Sequence, residues 1–314
     1  MTASGIQRVA VVGTGVIGAS WAVYFLARGL EVAATDPAPD AEAAPRRAVE
    51  AHWPAMERMG LGEGASPDRL RFAPSPEAAL EGAQFVQENG PERLEIKREL
   101  FRRLDAAAPP DVILASSSST LLMSEVQTVC AQPGRVVLGH PFNPPHLVPL
   151  VEVVGGRATT EAALERAMAF YTAIGKKPIR LRREITGHVA NRLQAALWQE
   201  AVHLVESGVA TVADIDTAIA HGPGLRWALL GPFLNLHLSG GAGGIEHLLA
   251  HLGPPIEAMW RDLGTASLTP GTQRMVASGV RAELAPLDED EMVRQRDDIL
   301  LTLLRLKAGS SGLP

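Results

Sequence analysis

Residues 8–36, RVAVVGTGVIGASWAVYFLARGLEVAATD, constrain the fold more than any other stretch of the chain. A β-rich run over Val9–Val12 meets Gly13, Gly15 and Gly18, after which Ala19, Ala22, Val23 and Leu26 recur at helical spacing as far as Gly29. A second short apolar run, Val32–Thr35, ends at Asp36. Strand, glycine turn, helix, strand and acid in that order predict the opening βαβ unit of a dinucleotide-binding sheet. Each glycine has its own reason: Gly13 permits the tight turn, Gly15 lets backbone approach a pyrophosphate, and Gly18 allows close contact between helix and strand. The helix opens on Val16 and Ile17, and its amino end turns unpaired N–H groups toward the phosphates. Asp36 can accept hydrogen bonds from both ribose hydroxyls and would repel a 2′-phosphate, so the expected cofactor is NAD rather than NADP.

The pattern continues with strand-like runs in AQFVQENGPE, DVILASSSST, GRVVLGHPFNPP and LVPLVEVVGG, the first two separated by a charged helical stretch over residues 93–107. Ligands of such sheets gather outside the carboxyl ends of the strands, where Glu88, Asn89, Ser116, Ser117, Ser118, Ser119 and His140 all fall. Residues 37–76 read as a helix followed by an exposed turn, with Trp53 a packing aromatic. A helix then runs to Ile174, Gly175 stops it, and residues 177–181 form a last strand-like segment. From RREITGHVANRLQAALWQEAVHLVESG onward the alternation stops and only helical periodicity with glycine and proline breaks remains. The expected architecture is α/β: a Rossmann-type, mainly parallel sheet over residues 1–185, then an all-helical C-terminal domain over 186–314. That second domain is expected to close a cleft beside the cofactor, to join subunits, or both.

A formal charge of −6 offers no broad cationic surface for nucleic acid or anionic lipid. No run of about 18 apolar residues marks a membrane span, and MTASGIQR has neither a signal-peptide core nor a basic amphipathic presequence, so a cytoplasmic protein is expected. The single cysteine, Cys130, excludes an intrachain disulfide and reads as a small buried hydrophobe. His146, His188 and His203 read as packing residues, and no His/Cys/Asp spacing suggests a metal.

Several linked motifs, VVGTGVIGASWA, QENGPERLEIKREL, SSSSTLLMS, GHPFNPPHLVPLVEVVGG, VANRLQAALWQEA and GPGLRWALLGPF, together resemble the 3-hydroxyacyl-CoA dehydrogenase superfamily. The likeness is narrower to the branch that holds L-gulonate 3-dehydrogenase, lambda-crystallin and L-carnitine dehydrogenase. It implies a catalytic histidine at His140 with Glu152 as its carboxylate partner, and oxygen-binding side chains at Ser119 and Asn191. It also implies that Asn143 helps to shape the substrate or nicotinamide site, with Glu88, Glu92 and Lys97 where the nicotinamide half runs past the loop of the fourth strand; Ser117 is expected to bind the cofactor as well. The chemistry agrees: oxidising a secondary alcohol requires a base for the hydroxyl proton, and imidazole, with an ordinary pKa of about 6.5, is suited to that task. Glu152, odd in the apolar run VPLVEVV, then has a reason as the group that orients the ring.

For the substrate, residues 59–76 carry only Arg69 and Arg71 as cations, unlike a richly basic surface for CoA, whereas Arg226 in GPGLRW suits a free carboxylate. Trp198, Trp227 or Trp260 would offer an aromatic face to a quaternary ammonium. The reading is NAD-dependent oxidation of a small L-3-hydroxy acid to its 3-oxo acid by a homodimer. The alternatives are an L-3-hydroxyacyl-CoA dehydrogenase and an inactive NAD-binding structural protein of the lambda-crystallin kind.

Overall fold

The structure, a computed structural model, describes residues 5–39 and 41–313; the first four residues of MTASGIQR, the stretch read above for a targeting signal, lie outside it. Eight strands form one sheet: β1 (Arg8–Val12), β2 (Glu31–Thr35), β3 (Leu70–Phe72), β4 (Phe85–Glu88), β5 (Ile113–Ser116), β6 (Val136–Pro141), β7 (Leu150–Gly155) and β8 (Lys177–Arg180). Their order is β3-β2-β1-β4-β5-β6-β7-β8, and every neighbouring pair is parallel except β6 and β7. The connections reverse direction between β1 and β4, so a crevice opens at the carboxyl ends of these two central strands. The intervening helices are α1 (Val16–Ala27), α2 (Ala43–Met59), α3 (Pro76–Ala79), α4 (Leu94–Ala107), α5 (Met123–Val126) and α6 (Glu161–Ala173).

β1, β4, β5 and β6 are almost wholly buried because helices cover both faces, which is why they read as continuous apolar runs. Helix α1 is apolar on all sides and is buried from Gly18 to Ala27. Trp21 stacks on Phe25 at 4.9 Å, and Phe85 stacks on Phe170 of α6 at 4.1 Å within one aromatic layer. Val86, Leu114 and Leu138 form the opposite layer with Phe101 and Leu104 of α4.

The strand the sequence reading missed is β3: three residues long, at the sheet edge, with Arg71 exposed, it has too few positions to show a period. The loop between β6 and β7 is held from beneath by Lys176. This buried ammonium donates to the carbonyls of Pro145 and Val148 and lies 3.8 Å from the centre of the Tyr24 ring. Burial pushes its pKa well down, and no carboxylate pairs with it among the described residues. His146 of the same loop accepts and donates through Ser20 of α1, so the loop is tied twice to the helix behind the glycine turn.

One compact unit ends at Arg192 and a second begins at Leu193. The backbone of Val189 and Ala190, just past residue 186 where the sequence begins the helical domain, hydrogen-bonds to Glu152 of β7. Helix α7 (Ala190–Glu206) carries the chain across this boundary. It is followed by α8 (Val212–His221), α9 (Pro223–Trp227), α10 (Pro232–Ser239), α11 (Gly244–Asp262), α12 (Pro270–Leu284) and α13 (Glu289–Ala308). Among the described residues no helix is long and apolar enough to cross a membrane.

The closest backbone approach in the sheet unit is at Gly18, where an added Cβ would lie 1.8 Å from the Gly13 carbonyl oxygen. Gly18→Ala must push α1 away from the glycine turn. It is expected to cost roughly 1–3 kcal/mol of stability, the range for overpacking, measurable by urea unfolding.

Candidate active site

The glycine turn forms an open cradle. Gly13 takes φ +89°, and a Cβ there would sit 2.8 Å from the Asn89 carbonyl carbon and oxygen, so the turn after β1 touches the loop after β4. At Gly15, by contrast, an added Cβ would meet nothing within 4 Å, and Val16 beside it is 76% exposed. Asp36 is oriented before any ligand arrives: Oδ2 accepts from Thr14 N–H at 2.8 Å and Oδ1 from Ala38 N–H at 2.9 Å. Each oxygen keeps a second lone pair for a hydroxyl donor. Beyond Asp36 lies a recess of about 480 Å³ lined by Ala38, Ala41, Glu42, Arg46 and Phe72. An open glycine over a helix amino end, an oriented acid and an adjoining recess fit a dinucleotide.

Glu88 and Lys97 were expected on the crevice wall, but the structure buries both beneath it. Lys97 Nζ donates to both Glu88 oxygens, at 2.9 and 3.0 Å, and to Gly90 O at 3.1 Å. Glu88 also accepts from Ser116 Oγ and Gly90 N–H, both at 2.6 Å. The pair sets the shape of the loop after β4 from below. Glu92 belongs to the surface of that loop: its Oε1 accepts from Ser118 Oγ, Thr120 N–H and Thr120 Oγ1. Desolvation opposes its ionised form, yet these bonds hold the carboxyl below its ordinary value. Ser117 Oγ donates to Asn89 Oδ1 and accepts from Gln87 Nε2, and Tyr171 in turn donates to Gln87 Oε1. Gln87 was missed in sequence; a polar residue inside the buried strand FVQE was the available signal.

On the far side of the crevice β6 and β7 run antiparallel with His140 directly opposite Glu152. His140 Nδ1 lies 2.9 Å from Glu152 Oε2. Because a carboxylate only accepts, Nδ1 carries the hydrogen and Nε2, which bonds to no described residue, keeps a lone pair. Glu152 has no exposed surface, and its second oxygen accepts from Val189 N–H at 2.8 Å and Ala190 N–H at 3.0 Å. Burial alone would raise its pKa; the His140 bond and the two N–H groups outweigh it and hold the carboxyl below its ordinary value.

Asn191 follows Ala190 in the first turn of α7, next to the N–H groups that reach Glu152. Ser119 follows Ser118, whose carbonyl oxygen lies 3.1 Å from His188 Nε2. His188 also packs against the His140 ring, centre to centre 5.0 Å. Hence the structure brings Ser119, His140, Glu152 and Asn191 to one end of β5, β6 and β7. Asn143 is exposed on the loop after β6. Arg226 lies in the helical unit, on α9, exposed and without an ion pair to any described residue. A larger recess of about 560 Å³ lies among Arg8, Glu31 and Arg69, which pair with one another, and includes none of the residues expected from sequence. Among the described residues no cluster of three His, Cys, Asp or Glu side chains can hold a metal. Cys130 is partly buried and desolvation pushes its thiol up to about 12.

Two family models match the chain: "3-hydroxyacyl-CoA dehydrogenase, NAD binding domain" over residues 8–185 and "3-hydroxyacyl-CoA dehydrogenase, C-terminal domain" over 187–271. Among curated proteins, the L-carnitine dehydrogenase of Streptomyces coelicolor is 51% identical over 96% of this chain and 94% of its own length. That of Streptomyces griseus subsp. griseus is 50% identical over 96% and 90%. Among solved structures, 5-formyl-3-hydroxy-2-methylpyridine 4-carboxylic acid 5-dehydrogenase, an NAD+ dependent dismutase, superposes with a TM-score of 0.83 at 27% identity, covering 98% of this chain and 100% of that one.

The Glu152 environment has a pH signature. A carboxyl whose folded pKa lies below its ordinary 4.5 stabilises the fold above that pH and progressively less as pH falls through the lower folded value. Glu152→Gln is therefore expected to lower stability at pH 7 by roughly 1–3 kcal/mol. It should also flatten the loss of stability in acid. Urea unfolding across a pH series measures both.

Proposed function

Because the chain belongs to the 3-hydroxyacyl-CoA dehydrogenase family and is an NAD-dependent oxidoreductase of that type, we propose that it oxidises a small L-3-hydroxy acid, L-carnitine first among them, to the 3-oxo acid. The observation that carries this reading is the buried His140–Glu152 pair in a chain similar along almost its whole length to L-carnitine dehydrogenases.

Gly13, Gly15, Val16, Ile17 and Gly18 hold the pyrophosphate of NAD in this reading and Asp36 the ribose hydroxyls, with Ser117, Glu92 and Asn143 toward the nicotinamide half. Glu88 and Lys97 act from beneath, by fixing the loop after β4. Bound NAD supplies the hydride acceptor for the carbinol carbon. His140 Nε2 takes the hydroxyl proton while Nδ1–H stays on Glu152, whose negative charge stabilises the imidazolium that forms. Ser119 and Asn191 orient the substrate oxygen. In the reverse direction the protonated His140 returns the proton to the carbonyl oxygen.

A free acid is favoured over an acyl-CoA because both cations of residues 59–76 are engaged within the protein. Arg69 donates to Gly29 O and Gly64 O and pairs with Glu31, and Arg71 donates to Ala78 O. Arg226 has its guanidinium free for a carboxylate, and Trp198, Trp227 and Trp260 are exposed at 60%, 44% and 66%. L-gulonate remains the second candidate within the same class. In the helical unit only Leu248 and Leu301 are buried apolar side chains among the described residues, while Leu193, Phe233, Leu238, Met259 and Ile299 are more than 60% exposed. So large an apolar surface supports a homodimer in which a second copy covers it.

Steady-state kinetics with NAD against L-carnitine, L-gulonate and L-3-hydroxybutyryl-CoA is expected to favour a free acid; preference for the thioester would overturn the substrate class. His140→Ala is expected to lose at least about a thousandfold in kcat, comparable to loss of other essential bases. It should still bind NADH, as followed by fluorescence. Light scattering is expected to give twice the 33.3 kDa chain mass.

A further inference from the structure

His188 sits beside the reacting groups under two separate penalties. Among the described residues it is the only non-glycine with positive φ, +52°, directly after Gly187 at +76°. Its Nδ1 is buried with no hydrogen-bond partner. Asparagine would tolerate the backbone, and phenylalanine would fill the space without an orphaned nitrogen. Backbone strain and unsatisfied buried polar atoms in one residue mark a position kept for something other than stability.

The imidazole makes two contacts, and the backbone of the same residue sets up a third. Its Nε2 lies 3.1 Å from Ser118 O; a carbonyl only accepts, so Nε2–H donates and Nδ1 holds the bare lone pair. Its ring lies against His140, tilted by 50°. The left-handed turn at 187–188 sends the next two N–H groups, of Val189 and Ala190, onto Glu152 Oε1. One residue thus touches the base, clamps the loop that carries Ser119 and opens the turn that presents Asn191.

We propose that His188 is a positioning residue for the reaction, a neutral brace that keeps the Ser119 loop and the Asn191 turn in register with the His140 ring. This rests on the assignment of His140 and Glu152 as the acid–base pair. Burial pushes the His188 imidazole below its ordinary range, and the Ser118 bond and the Glu152 and Glu92 charges offset that only in part. The neighbouring His140 works in the same downward direction.

The test is His188→Phe, which keeps a ring but loses the donor to Ser118, beside His188→Asn, which suits the left-handed backbone but loses the ring. His188→Phe is expected to melt close to the wild-type temperature, since removal of the orphaned nitrogen offsets the loss of the bond to the Ser118 carbonyl. Its kcat is expected to fall roughly ten- to a hundredfold, the scale of a small misplacement of reacting groups. Its KM for NAD should stay within about twofold, because the interaction acts on chemistry rather than on binding. A substrate deuterated at the carbinol carbon should show a larger isotope effect on kcat than in wild type. His188→Asn is expected to repeat the kinetic pattern, and decides alone if the phenylalanine variant does not fold. Wild-type kcat in the folded variant, or a fall in kcat matched by weaker NAD binding, overturns the brace. Turnover lost in His140→Ala but kept in His188→Phe removes only this inference, whereas turnover kept in His140→Ala removes the acid–base assignment beneath it.

Discussion

A carboxylate with no surface in contact with water is among the costliest groups a fold can carry, with a penalty of several kcal/mol even after relaxation. Glu152 carries that burden in the middle of an apolar strand, and three donors make it bearable: the His140 ring and the backbone N–H groups of Val189 and Ala190. Bonds to an ionised group contribute about 1.5–3 kcal/mol each, so three together match the penalty. The arrangement also fixes which nitrogen of His140 bears the hydrogen. Sheet, helix start and base tautomer are thereby set by one side chain, with one donor from a strand side chain and two from consecutive backbone N–H groups.

The rest of the sheet unit keeps two halves of a crevice in place around that centre. The glycine turn after β1 and the loop after β4 meet at Gly13 and Asn89, where there is no room for a side chain. Below them the Glu88–Lys97 pair uses its polar atoms on Ser116 and Gly90, so the floor is rigid without facing outward. The loop after β6 is secured by Lys176 and by His146 to helix α1, the helix that opens on the glycine turn.

Much of this was legible in the sequence wherever the signal was local. Gly13, Gly15, Gly18 and Asp36 declare a strand–turn–helix–strand unit through spacing alone, and the apolar runs of β4 to β7 declare a sheet covered on both faces. His140 and Glu152 needed the family likeness, because nothing in spacing tells that residues 140 and 152 face one another across an antiparallel pair. Lys97 shows the limit most clearly: the family likeness set it beside the cofactor, and only the fold reveals the buried glutamate it meets. His188 read as packing for the same reason, since its strain and its orphaned nitrogen exist only in three dimensions. Strand β3 escaped because it is too short for a period, and the bonds from Val189 and Ala190 to Glu152 escaped because backbone donors carry no side-chain signature.

The single antiparallel pairing in the sheet makes loop length part of the chemistry. In a two-stranded register with side chains alternating between faces, shifting β7 by one position would set a valine, 151 or 153, across from the imidazole and turn the acid toward the opposite layer of the domain. Homologous chains that gain or lose one residue between Phe142 and Pro149 would have to absorb it in a bulge rather than by sliding the strand. Length variation in this hairpin thus offers a ruler for separating working relatives from those that have kept the fold and given up turnover.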